Sequence, residues 1–303
     1  MVNDKVEEIL ALKKQRNAII LAHNYQREEI QEIADFVGDS LELSRQATKV
    51  ECDVIVFCGV HFMAETASIL NPEKTVLLPE IDAGCPMADN VDVEELKRWI
   101  KKYPDKPVIS YVNTTAEVKA LSYACCTSAN APQIVKAVPF QSIIFVPDKN
   151  LADWVKKQVP EKEIIPWEGF CPTHQMIKKE DILRAKEAHP NAIVVVHPEC
   201  RPEVIELADH VASTSGMVRF AKASPHKEFI IGTEVGLLYR LKKENPDKIF
   251  YPVKTTMLCP NMKITTLDSV LTALKENQYV IKVPEDVRVK AFEAVQRMLT
   301  LVS

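Results

Sequence analysis

Glycine is the conspicuous shortage in this chain, with 7 residues in 303 against an average usage of about 7%. No two of the seven are separated by a single residue. Dinucleotide and nucleoside-triphosphate loops need clustered glycines, because only a backbone stripped of Cβ atoms lets several amides close on a phosphate. Both loop types are excluded. A basic block is missing too: acids and bases are interspersed, with a formal net charge of -4 and a pI near 6.0. Nothing offers nucleic acid or an anionic lipid surface the clustered Lys and Arg that each requires. No run approaches the ~18 apolar residues of a membrane span. The opening "MVNDKVEEIL" is acidic and amphipathic, unlike a secretory leader. The expected setting is cytoplasmic, with small molecules as partners and no nucleic acid or membrane.

Also missing is any C-x2-C pair among the eight cysteines, so the common spacing of structural zinc sites does not occur. In a reducing compartment these thiols are buried hydrophobes or metal ligands before they are disulfides. Three of them precede a proline, in "AGCPMAD" (Cys85), "EGFCPTHQ" (Cys171) and "TMLCPNMK" (Cys259), spaced 86 and 88 residues apart. Cys52, Cys58, Cys125, Cys126 and Cys200 show no such triplication and read as small buried side chains. The adjacent Cys125 and Cys126 are also a candidate redox pair.

The near-even spacing points to repeats. "NAIILAHNY", "KPVISYVNT" and "NAIVVVHPE" are β-branched runs suited to strands buried on both faces of a parallel sheet. Each is followed by a helical pattern, a second strand ("CDVIVFCG", "QSIIFVPD", "KEFIIGTE"), another helical pattern, and a short third strand leading to Cys-Pro. The expected fold is α/β: three homologous β-α-β-α-β units with short parallel sheets around a pseudo-threefold axis. Their expected extents are 1–86, 87–173 and 174–262. The tail, 263–303, reads as two helices flanking a strand that pack back on the first unit. Met63, Trp99, Trp154 and Trp167 read as core.

Polar positions keep the same register. From His23, Tyr111 and His197 at the first strand ends, Tyr25, Asn113 and Glu199 lie 2 residues on, and Ser40, Ser128 and Thr214 lie 17 residues on. The cysteines follow at 62, 60 and 62 residues. Period-2 spacing turns each first pair to one side of its extended segment. Ser40, Ser128 and Thr214 precede helical patterns and read as N-caps, at helix ends able to receive carboxylate or phosphate. Since ligands of open parallel sheets bind beyond the carboxyl ends of strands, all these positions should line one central site.

Three thiolates converging there suit an iron–sulfur cluster better than a four-ligand zinc site. A [4Fe-4S] cluster with three Cys ligands keeps one open iron, a Lewis acid able to help expel water. An electron carrier, a redox sensor, a structural zinc protein and another open-iron hydro-lyase are the competing readings. His197 and Glu199 beside a lined cavity count against the first two.

The ordered motifs "AHNYQ", "FVGDSLELS", "GVHFMAETA", "CPMAD", "YVNTTAEVKA", "CTSANA", "CPTHQ", "VHPEC", "STSGM", "GTEVG" and "CPNMK" span nearly the whole chain and resemble the quinolinate synthase family. The resemblance implies three α/β units in a triangle and a [4Fe-4S] cluster held by Cys85, Cys171 and Cys259. It implies condensation of iminoaspartate with dihydroxyacetone phosphate to quinolinate, with loss of phosphate and two waters, and functional coupling to an enzyme that supplies iminoaspartate. Under it, His23, Ser40 and Ser128 receive carboxylates, and Tyr25 and Tyr111 donate or move protons. His197 and Glu199 act as an acid–base pair, and Asn113 holds the triose oxygen. Thr214, His174, Thr233 and Glu234 line the wall and the phosphate end.

Overall fold

Each apolar run that opens a repeat is a strand inside a four-stranded sheet. The computed structural model describes residues 2–302. In the first unit α1 (Val2–Gln15) leads into β1 (Ala18–His23), α2 (Glu28–Ile33), β2 (Phe36–Gly38), α3 (Ser40–Lys49), β3 (Val54–Cys58), α4 (His61–Leu70) and β4 (Thr75–Leu77). The second runs through α5 (Val93–Lys102), β5 (Val108–Tyr111), α6 (Ala116–Ala120), β6 (Ala124–Cys126), α7 (Ala131–Ala137), β7 (Ser142–Val146), α8 (Lys149–Gln158), β8 (Glu163–Pro166) and the short α9 (Pro172–Gln175). The third comprises α10 (Lys179–Ala188), β9 (Ile193–Val196), α11 (Pro202–Ile205), β10 (His210–Val211), α12 (Thr214–Ala223), β11 (Glu228–Gly232), α13 (Leu237–Glu244), β12 (Ile249–Pro252) and α14 (Pro260–Lys263).

The sheet orders are β2-β1-β3-β4, β6-β5-β7-β8 and β10-β9-β11-β12, every pairing between named strands parallel. Three α/β units with parallel sheets are thus what the chain forms. Each sheet holds one strand more than the apolar runs indicate. The additional strands, β2, β6 and β10, have 3, 3 and 2 residues, too short to leave a run or a period in the sequence. Their edge position is what recruits them: a few backbone groups pair with the neighbouring strand once the crossover helix has returned the chain.

Both faces of each sheet are buried, and residue parity decides which face meets what. Leu21 and Phe57 of the first unit, Ile109 and Phe145 of the second, and Val195 and Phe229 of the third belong to one shared apolar core. Their neighbours Ile20 and Val56, Val108 and Ile144, and Val194 and Ile230 fill three separate outer layers. His23, Tyr111 and His197 have the parity of the shared core, so the strand ends aim them at the middle of the molecule.

In the tail, α15 (Leu267–Glu276) lies against α1 and β3. Val280 forms a single antiparallel bridge with Leu77 of β4. α16 (Glu285–Thr300) then crosses to α4, α6 and β6, so the tail straps the first unit to the second. Among the described residues no helix is long and apolar enough to cross a membrane.

Candidate active site

Within each sheet the strand order reverses between the first strand and its two neighbours, which opens a crevice beyond the strand C-termini. The three crevices merge into one cavity of about 160 Å³. His23, Tyr25, Ser40 and Cys85 line it from the first unit, and Tyr111, Asn113, Ser128, Cys171 and His174 from the second. His197, Glu199, Thr214 and Cys259 complete it from the third. Every residue singled out from polar register or as a Cys-Pro ligand therefore reaches the same space.

The strand-end histidines share one local device. The Tyr25 amide donates to His23 Nδ1 at 3.1 Å, and the Glu199 amide donates to His197 Nδ1 at 3.3 Å. An amide can donate only to an unprotonated ring nitrogen, so each neutral imidazole carries its proton on Nε2. Burial lowers both groups to about 3, and both are neutral donors at physiological pH. His197 Nε2 lies 3.2 Å from Ser128 Oγ. Asn113 Oδ1 is buried with no hydrogen-bond partner among the described residues, a polar atom that calls for a donor from a bound molecule.

A chain of hydrogen bonds links side chains from all three units. Tyr25 Oη stands 2.5 Å from Thr233 Oγ1, and Thr233 Oγ1 stands 2.8 Å from His174 Nε2. On the far side of the ring, His174 Nδ1 is 2.6 Å from Glu199 Oε2. The Tyr111 hydroxyl donates to Glu199 Oε1 at 2.5 Å. Since Glu199 as a carboxylate only accepts, His174 donates to it from Nδ1, and the Thr233 and Tyr25 hydroxyls continue the chain from Nε2. His174 stacks on His197 with centroids 4.6 Å apart. Burial pushes the Glu199 carboxyl up, but the imidazoles of His197 and His174 and the bonds from His174 and Tyr111 outweigh it and hold the group below the usual carboxylate range. Burial, then the Glu199 charge, raises both Tyr25 and Tyr111 well above a free phenol. The arrangement is one buried carboxylate fed by two phenols.

The N-cap expectation for Ser40, Ser128 and Thr214 is corrected. Ser40 and Thr214 are the first residues of α3 and α12, and the caps are their predecessors: Asp39 accepts from the Leu41 and Glu42 amides, and Ser213 accepts from Gly216. Ser128 lies two residues before Asn130, which occupies the cap position of α7. The caps also bond each other, Ser213 Oγ donating to Asp39 Oδ2 at 2.9 Å, which fastens the first unit to the third. Relieved of capping, the Ser40 and Thr214 side chains face the cavity at two helix N-termini. "GDS" and "STS" held the signal, since Asp and Ser are strong caps in their own right.

The local function of Cys-Pro is visible in the helical turn that each begins. Cys171 and Cys259 precede α9 and α14, with proline at the first helical position where no amide is needed. The sulfurs then accept backbone N–H groups from that turn: Met87 and Ala88 for Cys85, His174 for Cys171, Asn261 and Met262 for Cys259. Burial pushes the Cys85 thiol up to about 12 and raises Cys171 and Cys259 as well, as expected for free thiols in an apolar place. A bound metal would reverse that by taking the thiolates. Only Cys171, His174 and Glu199 bring ligand atoms within 4.8 Å of one another among the described residues. The three Cys-Pro sulfurs do not meet at one ion-sized point, which suits a polynuclear cluster better than a single ion.

Cys125 and Cys126 are fully buried on β6, where an extended backbone turns consecutive side chains to opposite faces. A disulfide between them does not fit that strand. Sequence reasoning passed over Asp39 and Asp148, and it gave Thr233 only the cavity wall and the phosphate end. Thr233 lies one residue past β11, and its tie to Tyr25 spans 208 positions.

Comparison with known proteins gives one answer along the chain. The family model for quinolinate synthetase A protein matches residues 7–300. A quinolinate synthase of Thermodesulfovibrio yellowstonii is 88% identical over 303 residues, 100% of both chains. Another, of Caldicellulosiruptor saccharolyticus, is 60% identical over 294 residues, covering 97% of each chain. Quinolinate synthase 1 of Methanosarcina acetivorans is 57% identical over 298 residues, covering 98% of each. With three parallel sheets and a cavity shared by all three units, the chain belongs to the quinolinate synthetase A family.

Proposed function

We propose that this protein is a quinolinate synthase that condenses iminoaspartate with dihydroxyacetone phosphate, releasing phosphate and two waters, and that Cys85, Cys171 and Cys259 hold a [4Fe-4S] cluster with one open iron. The observation that carries the reading is the convergence of three amide-supported cysteines with the buried carboxylate of Glu199 on one cavity. When bound, the cluster supplies Lewis acidity for loss of water. The protein supplies the rest.

Both carboxylates of quinolinate need donors in a space whose wall holds no lysine or arginine among the described residues. The Nε2–H groups of His23 and His197, the hydroxyls of Ser40 and Ser128, and the N-termini of α3 and α12 provide them. Neutral imidazoles donate without adding charge that would strand the site when it is empty. Asn113 Oδ1 accepts from a triose hydroxyl. Glu199, ionised between Tyr111 and His174, takes a proton from carbon and returns it to a departing oxygen, as enediol formation and dehydration both require. Tyr25, Thr233 and His174 connect a second phenol to the same carboxylate, so a proton withdrawn at one side of the cavity can be replaced from the other. Burial of these groups keeps bulk water from the imine.

The test is anaerobic formation of quinolinate from iminoaspartate and dihydroxyacetone phosphate, with iron and sulfide measured on the same sample. Four irons and four sulfides per chain with product formation are expected. Iron-loaded protein that forms no quinolinate refutes the reaction, and active protein without iron refutes the cofactor.

A further inference from the structure

Two buried carboxylates stand at one repeat position and make the same contact. Asp148 follows β7 by two residues and Glu234 follows β11 by two, and both are fully buried. Asp148 Oδ2 accepts from the Cys171 amide at 3.2 Å while Oδ1 accepts from Leu151 at 2.8 Å. Glu234 Oε1 accepts from the Cys259 amide at 3.3 Å while Oε2 accepts from Gly236 at 2.7 Å. Each ties the end of its unit's second long strand to the backbone of the cysteine that follows the next crossover. In the first unit the position two beyond β3 is Val60. Among the described residues no carboxylate accepts from the Cys85 amide.

The third unit extends the tie. Lys263 Nζ pairs with Glu234 at 3.1 Å and donates to the Tyr25 carbonyl. Gly236 makes room for this: a Cβ there would stand 2.5 Å from Lys263 Nζ and 2.8 Å from the Tyr25 carbonyl oxygen. The segment that carries a strand-end phenol of the first unit is thereby joined to the cysteine backbone of the third.

We propose that Asp148 and Glu234 are positioning residues that hold the Cys171 and Cys259 backbones so that their thiols are aimed before a cluster binds, while Cys85 has no such tether. The inference rests on the cluster reading above. A buried amide fixed by a carboxylate cannot rotate its residue away, and ligands oriented in this manner lose 10- to 100-fold in metal affinity when the support is removed. Each carboxylate uses both oxygens as acceptors, so a carboxamide, with one acceptor oxygen, should keep part of the support and a hydrocarbon none.

The experiment uses full-length protein loaded with iron and sulfide under anaerobic conditions. It records the rate of iron release to a chelator and the electron paramagnetic resonance spectrum after reduction. Wild type must first show the cluster; protein that takes up none refutes the cofactor reading, separately from this one. Asp148→Asn, which keeps one acceptor oxygen, should release iron at a rate between those of wild type and Asp148→Leu. Asp148→Leu should release it about 10- to 100-fold faster, with an altered spectrum. Glu234→Gln and Glu234→Met repeat the pair at the second site, and circular dichroism of each apoprotein separates lost folding from lost ligation. A folded Asp148→Leu or Glu234→Met protein with the wild-type spectrum and release rate overturns the proposal. So do carboxamide variants more labile than the hydrocarbon ones.

Discussion

The first and third units build the same strand end and put different chemistry on it. In both, a histidine closes the first strand and accepts the amide two residues on, at 3.1 and 3.3 Å. In both, burial keeps the ring neutral. The residue that supplies the amide is Tyr25 in one and Glu199 in the other. The shared device is a holder, indifferent to the side chain it presents; the variable position decides whether a unit offers a proton donor or the only carboxylate among the strand-end pairs. A repeated scaffold divides labour in this way with one substitution per unit.

The largest expected effect tests where the units are equivalent. Replacing Cys85, Cys171 or Cys259 by Ala should each abolish bound iron and quinolinate formation, while Cys200→Ala, at a fully buried thiol outside the triplet, should keep both. Iron and activity measured together decide it, and a Cys85→Ala enzyme that still turns over breaks the threefold reading. Next comes the position where the units differ. Glu199→Gln keeps size and shape but cannot take a proton, and should lower turnover at least about a hundredfold, a common general acid–base contribution, with the cluster intact and quinolinate still bound. Near-wild-type turnover would remove Glu199 from the chemistry.

Smaller effects sharpen the comparison. Ser40→Ala and Ser128→Ala should each weaken quinolinate binding about tenfold or more, since a hydrogen bond to a charged group is worth about 1.5–3 kcal/mol; unchanged affinity in an equilibrium titration would leave the helix ends structural. Thr233→Val should lower kcat about tenfold with little change in KM, the scale of one lost hydrogen bond of about 1.4 kcal/mol. Thr233→Ser should restore it, and equal activity of Val and Ser would cut the relay. The least effect concerns pH. His23 and His197 fall to about 3 in the folded chain from about 6.5 when unfolded, so below pH ~6.5 the unfolded chain binds protons that the fold refuses. Stability is therefore full above that pH and declines as pH falls toward 3. His23→Asn should flatten the decline of Tm between pH 6.5 and 4, and an unchanged slope would show that His23 titrates normally.

Much of this was legible because parity is local. Alternation along "AIILAH", "VISY" and "IVVV" sets which residues face one way, and a register preserved over three repeats places equivalent residues at equivalent strand ends. The Cys-Pro turn is equally local, a sulfur followed by a residue that needs no amide partner and then by amides that reach back. These features needed only covalent geometry and the period of a strand.

Tertiary structure decided the rest, because the remaining contacts join atoms that the chain order keeps far apart. The edge strands β2, β6 and β10 exist only where a neighbouring strand waits to pair with them. Asp39 meets Ser213, Tyr25 meets Thr233, and His174 meets Glu199 across units, and no period in the sequence encodes such partners. α16 straps two units although its own pattern shows only that it has an apolar face. Even the charge of the site lies at this level: burial pushes the Glu199 carboxyl up, and the imidazoles of His197 and His174, with the bonds from His174 and Tyr111, outweigh it.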